Sequence, residues 1–380
     1  MRILITVASY YPVSGGVQMV TQYTAEGLVK MGHEVTVVTS THDRKGNSID
    51  NHNGVRLLYT DVYKRRDIIK GHKQEYVDLI KKETDNKDVM INVSLQTPTT
   101  DLIIPHLESI RCKKVLYLHD MYDFSWSKMD VASPSRFLSK VFYNITRWFY
   151  YSHLHKKLHA YNLVTHLTQF DNSYKYMLKH GVKNNIILGN AALDSMFKPC
   201  DKKIDKLYFL SVANYAEHKN QKFILKAFYE SDVDCEMIFI GRERNKYFNE
   251  LVELKDIFDK RYGEKKVVFN VGISREETEV LFKNARALVL GSRVEKFPIV
   301  IIEAMASHIP FISTNTGCAK YIPGGYVVEN IEEMSYWIKF LADNEECRKL
   351  IGEVGYKYAS KNMTIERKLR YLISIIQNFK

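Results

Sequence analysis

The stretch Ala287-Leu-Val-Leu-Gly-Ser-Arg-Val-Glu295-Lys-Phe-Pro298-Ile-Val-Ile-Ile-Glu303-Ala-Met-Ala306 joins three local signals in a fixed order. Residues 287–291 form an apolar run closed by a glycine, which reads as a buried strand. Pro298 falls near the first turn of a helix, where its missing N–H costs nothing. Glu295 therefore lies on the connecting loop and Glu303 inside an amphipathic helix. Backbone N–H groups such as those of Phe297 and Ile299 would face whatever sits above the strand end, and they suit a diphosphate. A carboxylate accepts from vicinal hydroxyls in bidentate fashion, so these two acids, eight residues apart, can hold a ribose and a hexose at opposite ends of one diphosphate. The plainer reading makes both glutamates solvated surface residues. Strand, proline, paired acids and the small helix residues Ala304 and Ala306 occurring together favour the binding site.

Outward from this stretch, strand-then-helix alternation fills the chain. Apolar runs at 3–8, 34–39, 89–93, 115–118, 162–165 and 185–188 predict strands, with helical periodicity at 17–31 and 174–180. Val17, Val20, Thr24, Leu28 and Met31 recur at spacings of three and four, on one helix face. Residues 189–199 carry turn formers, a proline and no period, and read as an inter-domain connection. A second alternation follows, with strands at 207–213, 235–240, 267–270, 287–290 and 310–313 and helices at 221–229, 247–258 and 276–284. The pattern predicts an α/β protein of two doubly wound, Rossmann-like domains, 1–195 and 196–363, with ligands beyond the C-terminal ends of the strands. A length of 380 residues suits two such cores. Thr364 is placed to cap a final amphipathic helix over 364–380.

Composition narrows the function classes. No stretch approaches the roughly 20 apolar residues needed to span a bilayer. The run 3–8 is cut short by Pro12 and Gly15-Gly16 and reads as a first strand rather than a leader. The five cysteines are scattered without CxxC spacing, so a reducing cytoplasm is expected. The net charge of +11 is uneven: residues 1–200 hold 26 Lys/Arg against 18 Asp/Glu, and residues 201–380 hold 29 against 26. Between Ala132 and Phe170 there is no acid, while Arg136, Lys140, Arg147, Lys156 and Lys157 alternate with Phe137, Phe142, Tyr143, Trp148, Phe149, Tyr150 and Tyr151. Such a segment can lie on an anionic membrane surface, or its aromatics can be core and its cations solvated. Nucleic acid could use the same chemistry but is not the expected partner.

Several strand ends carry further candidates. Tyr10-Tyr-Pro12-Val-Ser-Gly15-Gly16-Val17 sets a glycine pair before a helix, where backbone can approach a ligand closely. It lacks the GxGxxG of dinucleotide-dependent dehydrogenases. His119 and Asp120 follow a strand directly, which puts an imidazole where ligands gather. Gly241 and Gly272 each end a strand where a flat base could rest against backbone. Asp232-Val-Asp234 imitates a metal-binding DxD but precedes its strand, so no metal is expected there.

The 287–306 signature resembles that of family-4-type glycosyltransferases (glycosyl transferases group 1) with the GT-B fold, and the likeness extends over most of the chain in matching order. The resemblance implies two Rossmann-like domains facing a cleft, with the final helix crossing back to the first domain. It further implies that Glu303 binds the nucleotide ribose, Glu295 the donor sugar and His119 the transferred sugar. Lys219, in Ser211-Val-Ala-Asn214-Tyr-Ala-Glu-His-Lys219-Asn220, would clamp the diphosphate, and Gly15 and Gly16 would contact donor phosphate or acceptor. Many relatives carry arginine where Asn214 stands and glycine where Asn220 stands. That leaves open whether Asn214 or another cation, Arg242 or Arg244, assists Lys219. The implied activity is retaining, metal-independent and cofactor-free transfer of a sugar from a nucleotide-sugar, a UDP-hexose, to a glycan or lipid-linked acceptor in bacterial surface polysaccharide synthesis. The cysteine usage and the basic-aromatic segment add to this the expectation of a cytoplasmic enzyme, peripheral on the inner face of the membrane and touching anionic lipid through 136–157. A non-catalytic sugar-nucleotide or glycan-binding module, and a GT-B epimerase or phosphorylase, are the rival readings.

Overall fold

The computed structural model describes residues 1–13, 15–41, 50–127 and 130–379. The β/α alternation resolves into two units, Met1–Gly189 with Leu369–Lys380, and Asn190–Lys368.

In the first unit β1 (Arg2–Val7) leads through α1 (Gly16–Lys30) to β2 (Glu34–Ser40). Next come β3 (Asn51–His52), β4 (Val55–Thr60), a hairpin of β5 (Val62–Arg65) and β6 (Ile68–Gly71), and α2 (Lys73–Thr84). The unit continues with β7 (Val89–Val93), α3 (Pro98–Asp101), β8 (Lys113–Tyr117), α4 (Pro134–Leu158), β9 (Leu163–His166), α5 (Asn172–Lys179) and β10 (Asn185–Ile187). Eight strands pair in the order β10-β9-β8-β7-β1-β2-β4-β3, parallel except for β3 against β4. The central strands are Val/Ile-rich and buried on both faces, as a helix-covered parallel sheet requires. Residues 51–84 add elements the periodicity does not announce, because Val55-Arg-Leu-Leu-Tyr-Thr60 alternates poorly and the hairpin strands are only four residues long.

The second unit runs β11 (Tyr208–Val212), α6 (Gln221–Glu230), β12 (Glu236–Gly241), α7 (Lys246–Tyr262), β13 (Val267–Val271), α8 (Arg275–Asn284), β14 (Leu288–Leu290) and α9 (Ile299–Ala306). It is completed by β15 (Phe311–Thr314), β16 (Gly325–Val328), α10 (Ile331–Asp343), α11 (Glu345–Asn362) and the start of α12 (Ile365–Asn378). Its parallel strands lie in the order β13-β12-β11-β14-β15-β16, so the winding reverses between β11 and β14. Apolar residues fill both faces, with Ile238, Leu288 and Ile301 in one cluster and Phe209, Ile224 and Ile338 in the other.

The units divide at Gly189/Asn190, a few residues before the 195/196 boundary read from the sequence. Asn190 and Ala192 already belong to the second unit, where the Ala192 N–H donates to Met363 O at 3.1 Å. Thr364 Oγ1 accepts from Arg367 N at 3.2 Å and so caps α12. Farther along, Ile376 O accepts from Lys113 Nζ at 2.8 Å, which ties the end of that helix to the first unit. Among the described residues, no helix is long and apolar enough to cross a membrane.

Candidate functional site

The reversal of strand order between β11 and β14 fixes where the second unit can hold a ligand, because the loops leaving those two strands diverge to opposite sides. The loop after β11 ends in a single 3-10 turn, Glu217–Lys219. Asn220 then takes a left-handed conformation, φ 54°, from which α6 starts. Asparagine tolerates that conformation better than other residues with a side chain, so it can serve here without a glycine. The turn delivers Lys219 Nζ to 2.6 Å from Glu295 Oε1, on the loop after β14. Ser292 Oγ donates to the same oxygen at 2.8 Å, and the Glu295 N–H donates to Thr316 Oγ1 at 2.8 Å. Gly317 closes this frame. Its φ is +57°, and a Cβ there would stand 2.7 Å from Lys296 O, so only glycine lets the two loops approach.

Glu303 lies in a helix that is buried almost all round, with Ile301, Ile302, Ala304, Met305 and Ala306 also inaccessible. The amphipathic helix expected from the sequence is thus a core helix with one charge. A lone buried carboxylate is costly unless paired. Its partner is Arg275, whose Nη2 stands 2.6 Å from Glu303 Oε1. Arg275 opens α8 directly after Ser274, whose side chain forms a capping box with Glu277. Its Nε also donates to Glu279 Oε1 at 3.2 Å, and Glu279 in turn accepts from Ser195 Oγ at 2.9 Å. Sequence reading passed over Arg275, and the only local signal was a cation in a first turn, where the helix dipole opposes it.

Pro298 occupies the N-cap of α9, one position before the helix proper, and Ile299 is the first helical residue. Asn190 Nδ2 donates to Phe297 O at 2.8 Å and holds this entry to the helix. Gly241 ends β12, and the space a side chain would need is filled by the Tyr215 ring, 2.3 Å from where a Cβ would stand; packing alone accounts for this glycine. Asn214 is exposed and its carbonyl accepts from Gln221 Nε2 at 3.0 Å. Arg244 lies over the Phe248 ring at 5.5 Å, while Arg242 is exposed. Lys219 is therefore the cation that the structure sets beside Glu295.

In the first unit, Gly15 is the N-cap of α1 and Gly16 its first residue; Ser14 lies outside the described residues. A Cβ on Gly16 would meet nothing within 4 Å, whereas one on Gly15 would meet Gln18 Oε1. No packing demand accounts for glycine at position 16. His119 follows β8 by two residues, its ring 5.3 Å from that of Tyr117. Asp120 has φ 94°, a strained value for a residue with a side chain, and its carboxylate accepts from the Ser173 N–H at 3.1 Å. At the end of neighbouring β9, His166 sits between Ser173 Oγ at 2.8 Å and Asn185 Oδ1 at 3.0 Å. Burial holds its pKa below the usual histidine value.

The sequence profile described as Glycosyl transferases group 1 matches residues 194–358, and that described as Glycosyltransferase Family 4 matches residues 14–169. This chain is a group 1 glycosyltransferase. Solved structures agree on its GT-B fold. A glycosyltransferase from Rickettsia africae superposes with a TM-score of 0.76 at 16% identity, over 100% of this chain and 99% of that one. Sucrose-phosphate synthase from Thermosynechococcus elongatus gives 0.73 at 13% identity, over 99% and 98%. HepE from Anabaena, solved in complex with UDP-glucose, gives 0.71 at 13% identity, over the full length of both chains. No curated protein sequence matches the chain. Among the described residues of this glycosyltransferase, no group of three or more His, Cys, Asp or Glu is arranged to hold a metal ion.

Proposed function

We propose that this glycosyltransferase moves a hexose from UDP-hexose to a hydroxyl of a glycan or lipid-linked acceptor, with retention of configuration and without a metal ion, in bacterial surface polysaccharide synthesis. The observation that carries the reading is the Lys219–Glu295 pair at the strand-order reversal, 2.6 Å apart and mostly shielded. The complex of HepE with UDP-glucose supports the choice of donor.

Glu295 neutralises Lys219, which avoids the cost of an unpaired, partly buried cation. A diphosphate brings its own negative charge and replaces Glu295 as the partner of Lys219. That frees the carboxylate to accept from hexose hydroxyls. As the bond between the hexose C1 and the phosphate oxygen breaks, charge grows on the leaving diphosphate, and Lys219 counters it more strongly than in the ground state. The acceptor oxygen bonds to C1 on the face the phosphate leaves, and its proton passes to the departing phosphate oxygen. The leading N–H groups of α9 add donors to the diphosphate. Glu303 accepts from the ribose hydroxyls through the oxygen that Arg275 does not hold. His119, Gly15 and Gly16 are the first unit's candidates for hexose and phosphate contacts, and Asn214 is a minor one on the second.

The test is release of free UDP from a panel of UDP-, GDP-, ADP- and dTDP-sugars, with and without EDTA, in the presence of a crude lipid-linked glycan extract. Acceptor-stimulated release from a UDP-hexose that survives EDTA supports the proposal. Tight donor binding without turnover would replace it by a binding module. Release of UDP with free hexose or hexose phosphate as the only product would point to an epimerase or phosphorylase.

A further inference from the structure

Helix α4 separates the basic-aromatic segment into two faces. Tyr151, Leu154 and Leu158 are buried, and the Tyr150 hydroxyl donates to Asp101 Oδ1 at 2.6 Å. Two cations counted as surface charges in the sequence turn inward with them: Arg147 Nη2 is 2.7 Å from Asp67 Oδ1, and Lys140 Nζ donates to Asp123 O at 2.8 Å. On the other side Leu138, Phe142, Ile145, Trp148 and Phe149 are each more than half exposed. Their spacings of four, three, three and one put them on one stripe about three turns long, opposite the core face. The aromatics of this segment are thus core on one side of the helix and exposed on the other.

We propose that the outward stripe of α4 is a docking surface for an anionic lipid bilayer. Charge selects that occupant. Arg136, Lys156 and Lys157 are exposed at the two ends of the helix, and no acid occurs between Ala132 and Phe170. The Arg147–Asp67 pair fastens the β5–β6 hairpin to the same helix, and that hairpin exposes Arg65, Arg66 and Ile68. A second copy packed across a two-fold axis would set these cations against themselves. A lipid headgroup layer instead offers negative charge continuously beside an apolar phase, with tryptophan favoured at the boundary. Since α4 is too polar to span, it lies in the plane of the interface. The surface is independent of the donor chemistry, so its failure would leave the transferase reading standing, and failure of that reading would leave the surface testable.

The experiment is co-sedimentation of the intact protein with vesicles of phosphatidylglycerol and phosphatidylethanolamine, and with phosphatidylcholine vesicles, alongside UDP affinity and a thermal melt. Binding is expected to the anionic vesicles and to weaken in high salt. F142S/W148S/F149S is expected to lower it at least tenfold while UDP affinity and the melt stay unchanged. Should that variant melt early, K156E/K157E carries the test and is expected to cause a similar loss on anionic vesicles. Absence of vesicle binding by the wild type, equal binding to phosphatidylcholine, or a dimer in sedimentation equilibrium that W148S dissociates would each overturn the proposal.

Discussion

The strand ends of the two units are furnished with opposite kinds of chemistry. In the second unit the side chains that matter are full charges already matched to one another, Lys219 with Glu295 and Arg275 with Glu303. In the first they are an imidazole, a glycine pair and a strained aspartate that accepts from a helix N–H. A site that must receive a diphosphate gains from cations kept shielded and internally neutralised until the ligand arrives. The proposed hexose contacts of the first unit need hydrogen-bond donors and acceptors rather than a cation to counter a diphosphate. On the proposed mechanism, the charge pairing of Lys219 with Glu295 and of Arg275 with Glu303 marks the side that handles charge in the reaction.

The comparison breaks most sharply at Lys219. Lys219→Ala is expected to lower kcat/KM for donor turnover by about 10²- to 10³-fold, the usual effect of removing one donor to a developing oxyanion. In a double-mutant cycle with Glu295→Gln the losses are expected to be strongly non-additive, since the two side chains share one contact. Additive losses would mean that the two side chains act independently, which would overturn the exchange of partners proposed for them.

Arg275 comes next. Arg275→Ala strands a buried Glu303, so we expect UDP affinity to fall about tenfold, with partial recovery in Arg275→Lys, which keeps the charge but not the fork. Calorimetry with UDP reads this directly. Tighter UDP binding by the alanine variant would instead show the guanidinium to be a competitor of the ribose for Glu303.

Much of this architecture could be read from residue order, and the unread part has a common cause. Apolar runs such as 287–291 and 3–8 identify their strands because burial on both faces leaves little sequence freedom. Lys219 and Glu295 were legible as separate residues, each at a strand end. Their contact, like that of Arg275 with Glu303, joins residues far apart in sequence and has no period to betray it. Helix α4 was ambiguous for another reason: aromatics occupy both of its faces, so periodicity marks a helix but not its buried side. The inward turns of Arg147 and Lys140 depend on acceptors from the β5–β6 hairpin and the 118–127 loop.

A smaller effect is expected at His119. A neutral hydrogen bond to a hexose hydroxyl contributes about 1 kcal/mol, so His119→Ala should lower kcat/KM about five- to tenfold and leave UDP affinity intact. That split would separate a hexose contact in the first unit from diphosphate contacts in the second. A parallel loss of UDP affinity would erase the distinction.

The weakest expected effect is on stability in acid, and it tests whether the first unit's strand ends depend on neutral groups. Burial holds the His166 pKa below the ordinary value, against smaller opposing contributions from the Asn185 hydrogen bond and Asp120. The unfolded chain protonates near pH 6.5 while the folded chain resists, so between the two pKa values the unfolded state binds more protons. Stability therefore falls as pH drops below about 6.5, by at most about 1.4 kcal/mol per pH unit for one group. His166→Asn, which cannot take up the proton, should flatten the dependence of the urea midpoint on pH between 7 and 5, even if it lowers the midpoint itself. An unchanged slope would mean that His166 takes up its proton equally in the folded and unfolded chain, and the contrast with the charged second unit would then be one of degree.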